Sequence, residues 1–468
     1  MTNRALAALL AVLATAAASY GAGATVPAAA EMWPAPDADR PVVTLAYDMA
    51  PDLASATGTE SVLFTPDQQV CELVFRNWAN KPTTAAGGTS TTVTTAKVDG
   101  VAVTPKIEAA GAAEGAPGTL VTLPLPSCSP AGTGIRVDLS FGLTLGRDAE
   151  ERVGYSPASK IAWMGTAFPL LAWQRGAGWV RDPAVNLSGE TVTSEDFRLA
   201  DLTVTASTGQ EVLGTGAATG TSEPAPGRVA HHFTADAVRD ISVSVGDFDV
   251  VTRTVDGVTV HVGTPRSGSR TSGDDWASEI GTQIGNLSAL LGPYPYTNLW
   301  ATIVPPQSDG VEFPTALQFG DERRSGIRSL VAHEVAHQWF YALVGNNQAQ
   351  HPWLDESFAT YAQAVVAGQQ DQYQLANIPA RLVGDLGQPM SYWAREGDFD
   401  RYVRGVYDQG AAVLLTARRS IGPERFDADI RTYLRDNAHR IATPQSVLTA
   451  FGDAPTLTDM LRTHGAFD

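Results

Sequence analysis

The sequence predicts an α+β, multidomain chain: an N-terminal all-β saddle or sandwich over residues 41–252, then a mainly α half over 253–468. Three observations carry this expectation. "GIRVDLSFGLTLG" alternates, placing Ile135, Val137, Leu139, Phe141, Leu143 and Leu145 on one face, as a half-buried strand requires. "KVDGVAV" sets Asp99-Gly100 between short apolar runs, a hairpin signal that returns in "VTRTVDGVTVHV". In "SGDDWASEIGTQIGNLSALLG" the period changes, and Trp276, Ile280, Ile284, Leu287 and Leu291 recur at helical spacing.

Taken in order, residues 1–24, "MTNRALAALLAVLATAAASYGAGA", read as an export signal. Arg4 supplies its positive start, Ala5 to Ala18 its apolar core, and Ala22-x-Ala24 a small-residue cleavage site. That core is shorter than the roughly 20 apolar residues that span a bilayer. Residues 25–40 are Pro- and Ala-rich and read as a linker. "DFRLADLTVTAS" and "DISVSVGDFDVVTR" extend the strand-like text, whereas "GTGAATGTSEPAPG" (214–227) reads as a loop. Beyond the helical stretch come one strand, "NLWATIVPP", and then helices to the end.

With 468 residues, 44% hydrophobic and 18% charged, the chain is globular and long enough for two or three domains. A net charge of −18 argues against nucleic acid as a partner, because neutralising phosphates takes a basic surface. No later apolar run is long enough for a transmembrane segment, so the mature protein is expected to be secreted, extracellular and monomeric. Cys71 and Cys128 are the two cysteines, and in an oxidising compartment they are expected to form a disulfide. Closing that loop would restrict the unfolded chain by about 4 kcal/mol in the entropy model.

Chemistry concentrates in "VAHEVAHQWFYALVG" (331–345). On a helix, residues four apart share a face, so His333 and His337 can offer imidazole nitrogens to one ion. Glu334 then stands about 100° round the helix, beside a water on that ion, where its carboxylate can take a proton. Ser325 is placed to cap this helix, and Ile327, Leu330, Val331 and Phe340 supply its apolar contacts. "HPWLDESFATYAQAVVAG" offers a third ligand on a second helix, whose stripe is Leu354, Phe358, Tyr361 and Val365. Glu356 lies in its first turn, after a gap of eighteen residues, giving H-E-x-x-H-x18-E. Two histidines and one acid leave a fourth position for water, the pattern of a catalytic zinc site. Asp355 is the rival ligand, and either acid could instead be a solvated helix-start carboxylate.

These segments resemble the aminopeptidase N-like gluzincin zinc metallopeptidases. The eighteen-residue gap is that family's spacing, which favours Glu356 as ligand, and "WLDESFATY" looks like its W-L-N-E-G-F-A segment, departing at Asp355 and Ser357. "GVEFP" (310–314) stands where the family carries G-x-M-E-N, with Val311 for methionine and Phe313 for asparagine. "VYDQGAAVLL" is similar to its Y-x-K-G segment, with Gly410 matched and the tyrosine at Tyr407. More weakly, "AFPLLAWQRGAGW" and "SEDFRLADLTVTASTGQEVLGTG" look like its N-terminal saddle domain.

The resemblance implies a thermolysin-like catalytic domain over 253–468 and one Zn2+ per chain held by His333, His337 and Glu356. It implies Glu334 as general base, Tyr407 as oxyanion donor, and Glu312 with Gly310 as the substrate-binding segment, Glu312 pairing with the α-ammonium of peptide substrates. Glu312 could also be a strand-edge carboxylate that only shapes the cleft, and Tyr402 competes with Tyr407. No large C-terminal helical domain follows Asp468, so a more open cleft that admits longer peptides is expected. Two other functions stay open: a zinc peptidase of the same fold that needs no free N-terminus, and a secreted binding protein with a vestigial metal site.

Overall fold

The computed structural model describes residues 32–467 apart from 190–191, 397 and 453–454. The expected signal at 1–24 and the start of the linker lie outside the described residues. From Val42 to Gly246 the elements are strands, apart from two short helical turns at Trp78–Asn80 and Pro82–Ala86. Eight strands form the largest sheet, in the spatial order 217–225, 228–238, 197–207, 42–49, 55–64, 135–144, 90–98 and 101–103. Two four-stranded sheets and a two-stranded one (173–174 with 178–179) complete this half, and inward residues of these sheets share one core. The alternation of 135–145 is realised: Ile135, Val137, Leu139, Phe141, Leu143 and Leu145 are all buried there. Cys71 and Cys128 are joined by a disulfide, as their number and setting predicted.

One loop expectation is corrected. Residues Ala217–Ala225 are not a loop but the edge strand of the large sheet, paired with Arg228–Val238. Every residue in it is exposed, so neither face needs apolar side chains and no alternation marks it. Pairing of its backbone with the next strand, rather than its side chains, makes it a strand.

A buried acid stands out in the first core. Glu60 is on an inward-facing position of strand Ser55–Phe64, 3% exposed, with no hydrogen-bond partner for either carboxylate oxygen. Burial raises its pKa well above the ordinary 4.5. The folded state therefore holds a proton that the unfolded chain releases, so stability falls as pH rises above 4.5. Glu60→Met should stabilise the fold by about 1–3 kcal/mol, since it removes unpaired polar atoms at similar volume. Thermal unfolding checks this, and the gain should be larger in mildly alkaline than in mildly acidic buffer.

The second half is built on a five-stranded sheet, in the order 248–255, 258–265, 298–303, 316–319 and 310–313. Strand Phe248–Val255 runs across residues 252–253, and its hydrogen-bonded partner is Val258–Pro265. Helix α1 (Gly273–Leu291) starts at Ser272, whose Oγ accepts from the Asp275 amide at 3.1 Å, and it buries the apolar face read from the sequence. Helices α2 (Ile327–Ala336), α3 (Trp353–Ala367) and α4 (Gln409–Ile421) pack with α1 into a second core. Trp33, from the expected linker, is buried in that core and donates to the Pro293 carbonyl at 3.0 Å.

Two helix details differ from expectation. Helix α2 begins after Gly326 with no side-chain cap, so Ser325 lies one residue too early to serve. Helix α3 is buried on every side from Trp353 to Ala362 rather than along one stripe. A helix surrounded by others buries its whole circumference, and one-sided periodicity is then lost.

The halves meet through buried polar contacts. Asn298 Nδ2 and Trp300 Nε1 both donate to the Gly216 carbonyl, at 2.7 and 2.8 Å. Asp196 bridges Arg239 and His439, each at 2.6 Å. Arg239 also donates to the Ala342 carbonyl at 3.2 Å, and the Tyr341 hydroxyl donates to Asp240 at 3.0 Å. Residues 341–342, just after α2, are thereby tied to the β half, which fixes the end of the helix that carries His333 and Glu334.

Candidate active site

Helix α2 ends as the second histidine arrives: His337 occupies its C-cap. The chain then turns so that the Phe340 carbonyl accepts from His337 Nδ1 at 3.0 Å. With the proton on Nδ1, Nε2 keeps its lone pair for a ligand. His337 Nε2 lies 3.1 Å from His333 Nε2 and 3.4 Å from Glu356 Oε2, and His333 Nε2 lies 3.2 Å from that same oxygen. A tetrahedral ion about 2.0–2.2 Å from each donor sets donor–donor edges of about 3.3–3.6 Å. The triangle of donors therefore fits one zinc-sized ion and leaves a fourth direction open to the cavity.

Electrostatics point the same way. Burial would push the His337 imidazole down, yet the carboxylates of Glu312, Glu356 and Glu334 raise it well above its ordinary 6.5. Burial would likewise raise Glu356, but His337 and His333 hold its carboxyl well below the usual range. Three buried acids around two imidazoles favour a cation among them. Among the described residues, groupings suited to an ion are His333–His337–Glu356 and the overlapping Glu312–Glu334–His337.

Asp355, the rival ligand, faces elsewhere. Its Oδ2 accepts from Gln348 Nε2 at 2.7 Å and its Oδ1 from the Glu356 amide at 2.9 Å. His231 and His232 belong to a strand, and His232 is held by Ser222 at 3.1 Å and Asp201 at 3.3 Å, with no ion-sized grouping there among the described residues.

Glu334 is buried against the edge strand Gly310–Phe313. A Cβ on Gly310 would stand 2.4 Å from the Glu334 carboxylate, so only glycine lets strand and acid meet this closely. Gly310→Ala is expected to displace Glu334 and lower kcat by about 10²-fold while metal content is unchanged; turnover and metal analysis check this. On the same strand Glu312 is 4% exposed and lines the cavity, whereas Phe313 turns the other way into the first core. Phe313, one of the two departures from G-x-M-E-N, is thus a packing residue between the halves, while Val311, the other, lines the cavity.

Tyr407 lines the cavity, with its ring parallel to that of His333 (13° between planes, centroids 5.7 Å apart). Tyr402 packs edge-on against Tyr407 at 5.5 Å and is fully buried in the second core. Tyr407 sits within a π-helical turn, Val403–Asp408, that leads into α4. Such turns are rare and cluster at functional sites.

The cavity holds about 710 Å³. Glu151, Arg152 and Gln307 also line it, and sequence reasoning missed all three. Gln307 Nε2 donates to the Glu151 carbonyl at 3.0 Å and to Gln318 Oε1 at 2.9 Å, joining the β half to strand Ala316–Phe319, which pairs with the strand that carries Glu312. No motif or spacing signals these residues, because they converge only through packing of the two halves.

A model described as "Peptidase family M1 domain" matches residues 316–463, which include His333, Glu334, His337, Glu356 and Tyr407 but not Glu312. Aminopeptidase N of Haemonchus contortus is 30% identical over 146 residues, 28% of this chain and 15% of that protein. A membrane alanyl aminopeptidase of Heliothis virescens is 26% identical over 158 residues, 30% of this chain and 15% of that protein. Leucine aminopeptidase 2 of Aspergillus niger is 26% identical over 199 residues, 36% of this chain and 32% of that protein. The matched stretches thus span 15% to 32% of these relatives' lengths. In fold, an M1 zinc metallopeptidase from Deinococcus radiodurans superposes with a TM-score of 0.64 at 17% identity, covering 92% of this chain and 95% of that one. Motif order, donor geometry, the family match over residues 316–463 and the fold agree in their likeness to the aminopeptidase N-like gluzincin zinc metallopeptidases.

Proposed function

We propose that this protein is a secreted, zinc-dependent aminopeptidase that hydrolyses the first peptide bond of peptides with a free N-terminus. One observation carries the reading: three donors from α2 and α3 converge within 3.4 Å of one another, with Glu334 and Glu312 beside them in one cavity. His333, His337 and Glu356 would hold one Zn2+ per chain, and no second chain is needed to complete the set. Zinc, when bound there, lowers the pKa of a water towards about 7 and polarises the scissile carbonyl.

The remaining roles belong to this chain's own groups. Glu334 accepts a proton from the attacking water and passes it to the departing amine. The Tyr407 hydroxyl donates to the carbonyl oxygen as negative charge gathers on it. Gly310–Phe313 is an edge strand, so its unpaired side offers backbone groups to an extended peptide. Glu312, on that strand, accepts from the substrate's α-ammonium and so sets cleavage at the first bond. A blocked N-terminus would leave that carboxylate buried without its cation, which disfavours acylated substrates. Secretion is supported by the export-signal pattern of residues 1–24 and by a disulfide suited to an oxidising compartment.

A panel of aminoacyl amides and their N-acetylated partners tests the exopeptidase claim on the wild type and Glu312→Gln. Cleavage of free amines only is expected, with kcat/KM down about 10²-fold in the variant, the loss of a charge-assisted contact. Equal cleavage of acetylated substrates would remove the exopeptidase claim and leave the zinc claim standing.

A further inference from the structure

Ser357 follows the ligand Glu356 on α3, fully buried, and its Oγ donates to the Val406 carbonyl at 2.8 Å. Val406 precedes Tyr407 inside the π-helical turn Val403–Asp408. A π turn interrupts the regular i to i−4 ladder: the Gln409 amide bonds back to the Arg404 and Val406 carbonyls, and side-chain donors reinforce this irregular backbone set. Two carbonyls of the turn take side-chain donors here: Gly405 from Gln409 Nε2 at 3.0 Å, and Val406 from Ser357. Gln409 is held in turn by His464, whose Nδ1 lies 2.8 Å from Gln409 Oε1.

Sterics confine the same turn. A Cβ on Gly410 would stand 1.9 Å from Ser357 Oγ, and one on Gly405 would stand 2.2 Å from the Trp393 ring. Helices α3 and α4 thus meet at Ser357 and Gly410, with the hydroxyl wedged between Gly410 and the Val406 carbonyl. The turn has little freedom to relax into a regular helix while that contact holds. A regular α-helix would rotate the side chains within it by part of a turn, and Tyr407 would leave the face that stacks on His333.

We propose that Ser357 is a positioning residue: through the Val406 carbonyl it holds the π turn that aims Tyr407 at the metal site. One helical turn of α3 then sets two parts of the site together, the ligand Glu356 and the direction of the Tyr407 hydroxyl. This rests on the role given to Tyr407 above.

The test is a double-mutant cycle of Ser357→Ala and Tyr407→Phe in the zinc-loaded protein, with amide hydrogen exchange of residues 403–410 read in each variant. Ser357→Ala is expected to lower kcat by about five- to tenfold, the worth of one buried hydrogen bond. KM and metal content should hold, and exchange across the turn should quicken. In the Tyr407→Phe background Ser357→Ala should lower kcat no further. An equal loss in both backgrounds overturns the proposal, as does loss of metal in Ser357→Ala, because the effect would then run through packing or through Glu356. Should Tyr407→Phe itself leave kcat unchanged, the oxyanion role of Tyr407 fails instead. The exchange rates alone then decide whether Ser357 holds the turn, and unchanged rates overturn that too.

Discussion

Glu334→Gln is expected to lower kcat by about 10²–10⁴-fold, the usual share of a positioned general base. Zinc should stay bound, since the donors proposed for it are His333, His337 and Glu356 and the amide matches the carboxylate in shape. Gly310 packs against this side chain so closely that an isosteric change is the informative one. KM should move little, because the proton transfer belongs to the transition state and not to binding. Turnover of an aminoacyl amide with metal analysis of the same sample checks both halves. A variant that keeps zinc and more than a tenth of wild-type turnover would show that some other group takes the proton.

Glu356→Ala should have a different signature, with metal and activity falling together. Removing the carboxylate leaves two imidazole nitrogens 3.1 Å apart, too few donors for a closed three-ligand grip. It also takes away the oxygen that both histidines face, at 3.2 and 3.4 Å. Turnover should drop to background at ordinary zinc concentrations. The melting temperature should lack the zinc-dependent increment expected of the wild type, since a ligand that binds only the folded state stabilises it in proportion to RT ln(1 + [L]/Kd). Thermal unfolding with and without added zinc, for both proteins, checks this. Comparable zinc-induced shifts in the two would mean that the metal sits elsewhere.

Legibility followed sequence distance. His333 and His337 lie on one helix, and their spacing is enough to put two nitrogens on one face. Glu356 was reachable only through the resemblance, whose eighteen-residue gap favours it over Asp355, because the stretch between is turns and the short strand Gly345–Asn346 rather than a regular element. The alternating strand 135–145 and the 273–291 helix were legible for the same reason: each has one wet and one buried face, and composition records the difference. Where that asymmetry fails, so does the reading. Strand 217–225 is wet on both faces and passes for a loop, while α3 is dry on all sides and its supposed stripe has no meaning.

What the sequence determined by itself was local: two histidines and an acid at ligand spacing, a glutamate next to the first, and the order of a strand-rich half before a helical one. Only the tertiary structure decided the rest. It turned Asp355 onto Gln348 and Glu356 towards both histidines, buried Tyr402 and put Tyr407 on the cavity, and sent Phe313 into the first core while Glu312 faced the site. It also brought Glu151, Arg152 and Gln307 to the same cavity and set Ser357 against Val406. The physical reason is that helical and strand periods are fixed by backbone geometry and travel with the chain, whereas contacts between remote segments depend on how side-chain volumes fill the space between elements, which no local pattern encodes.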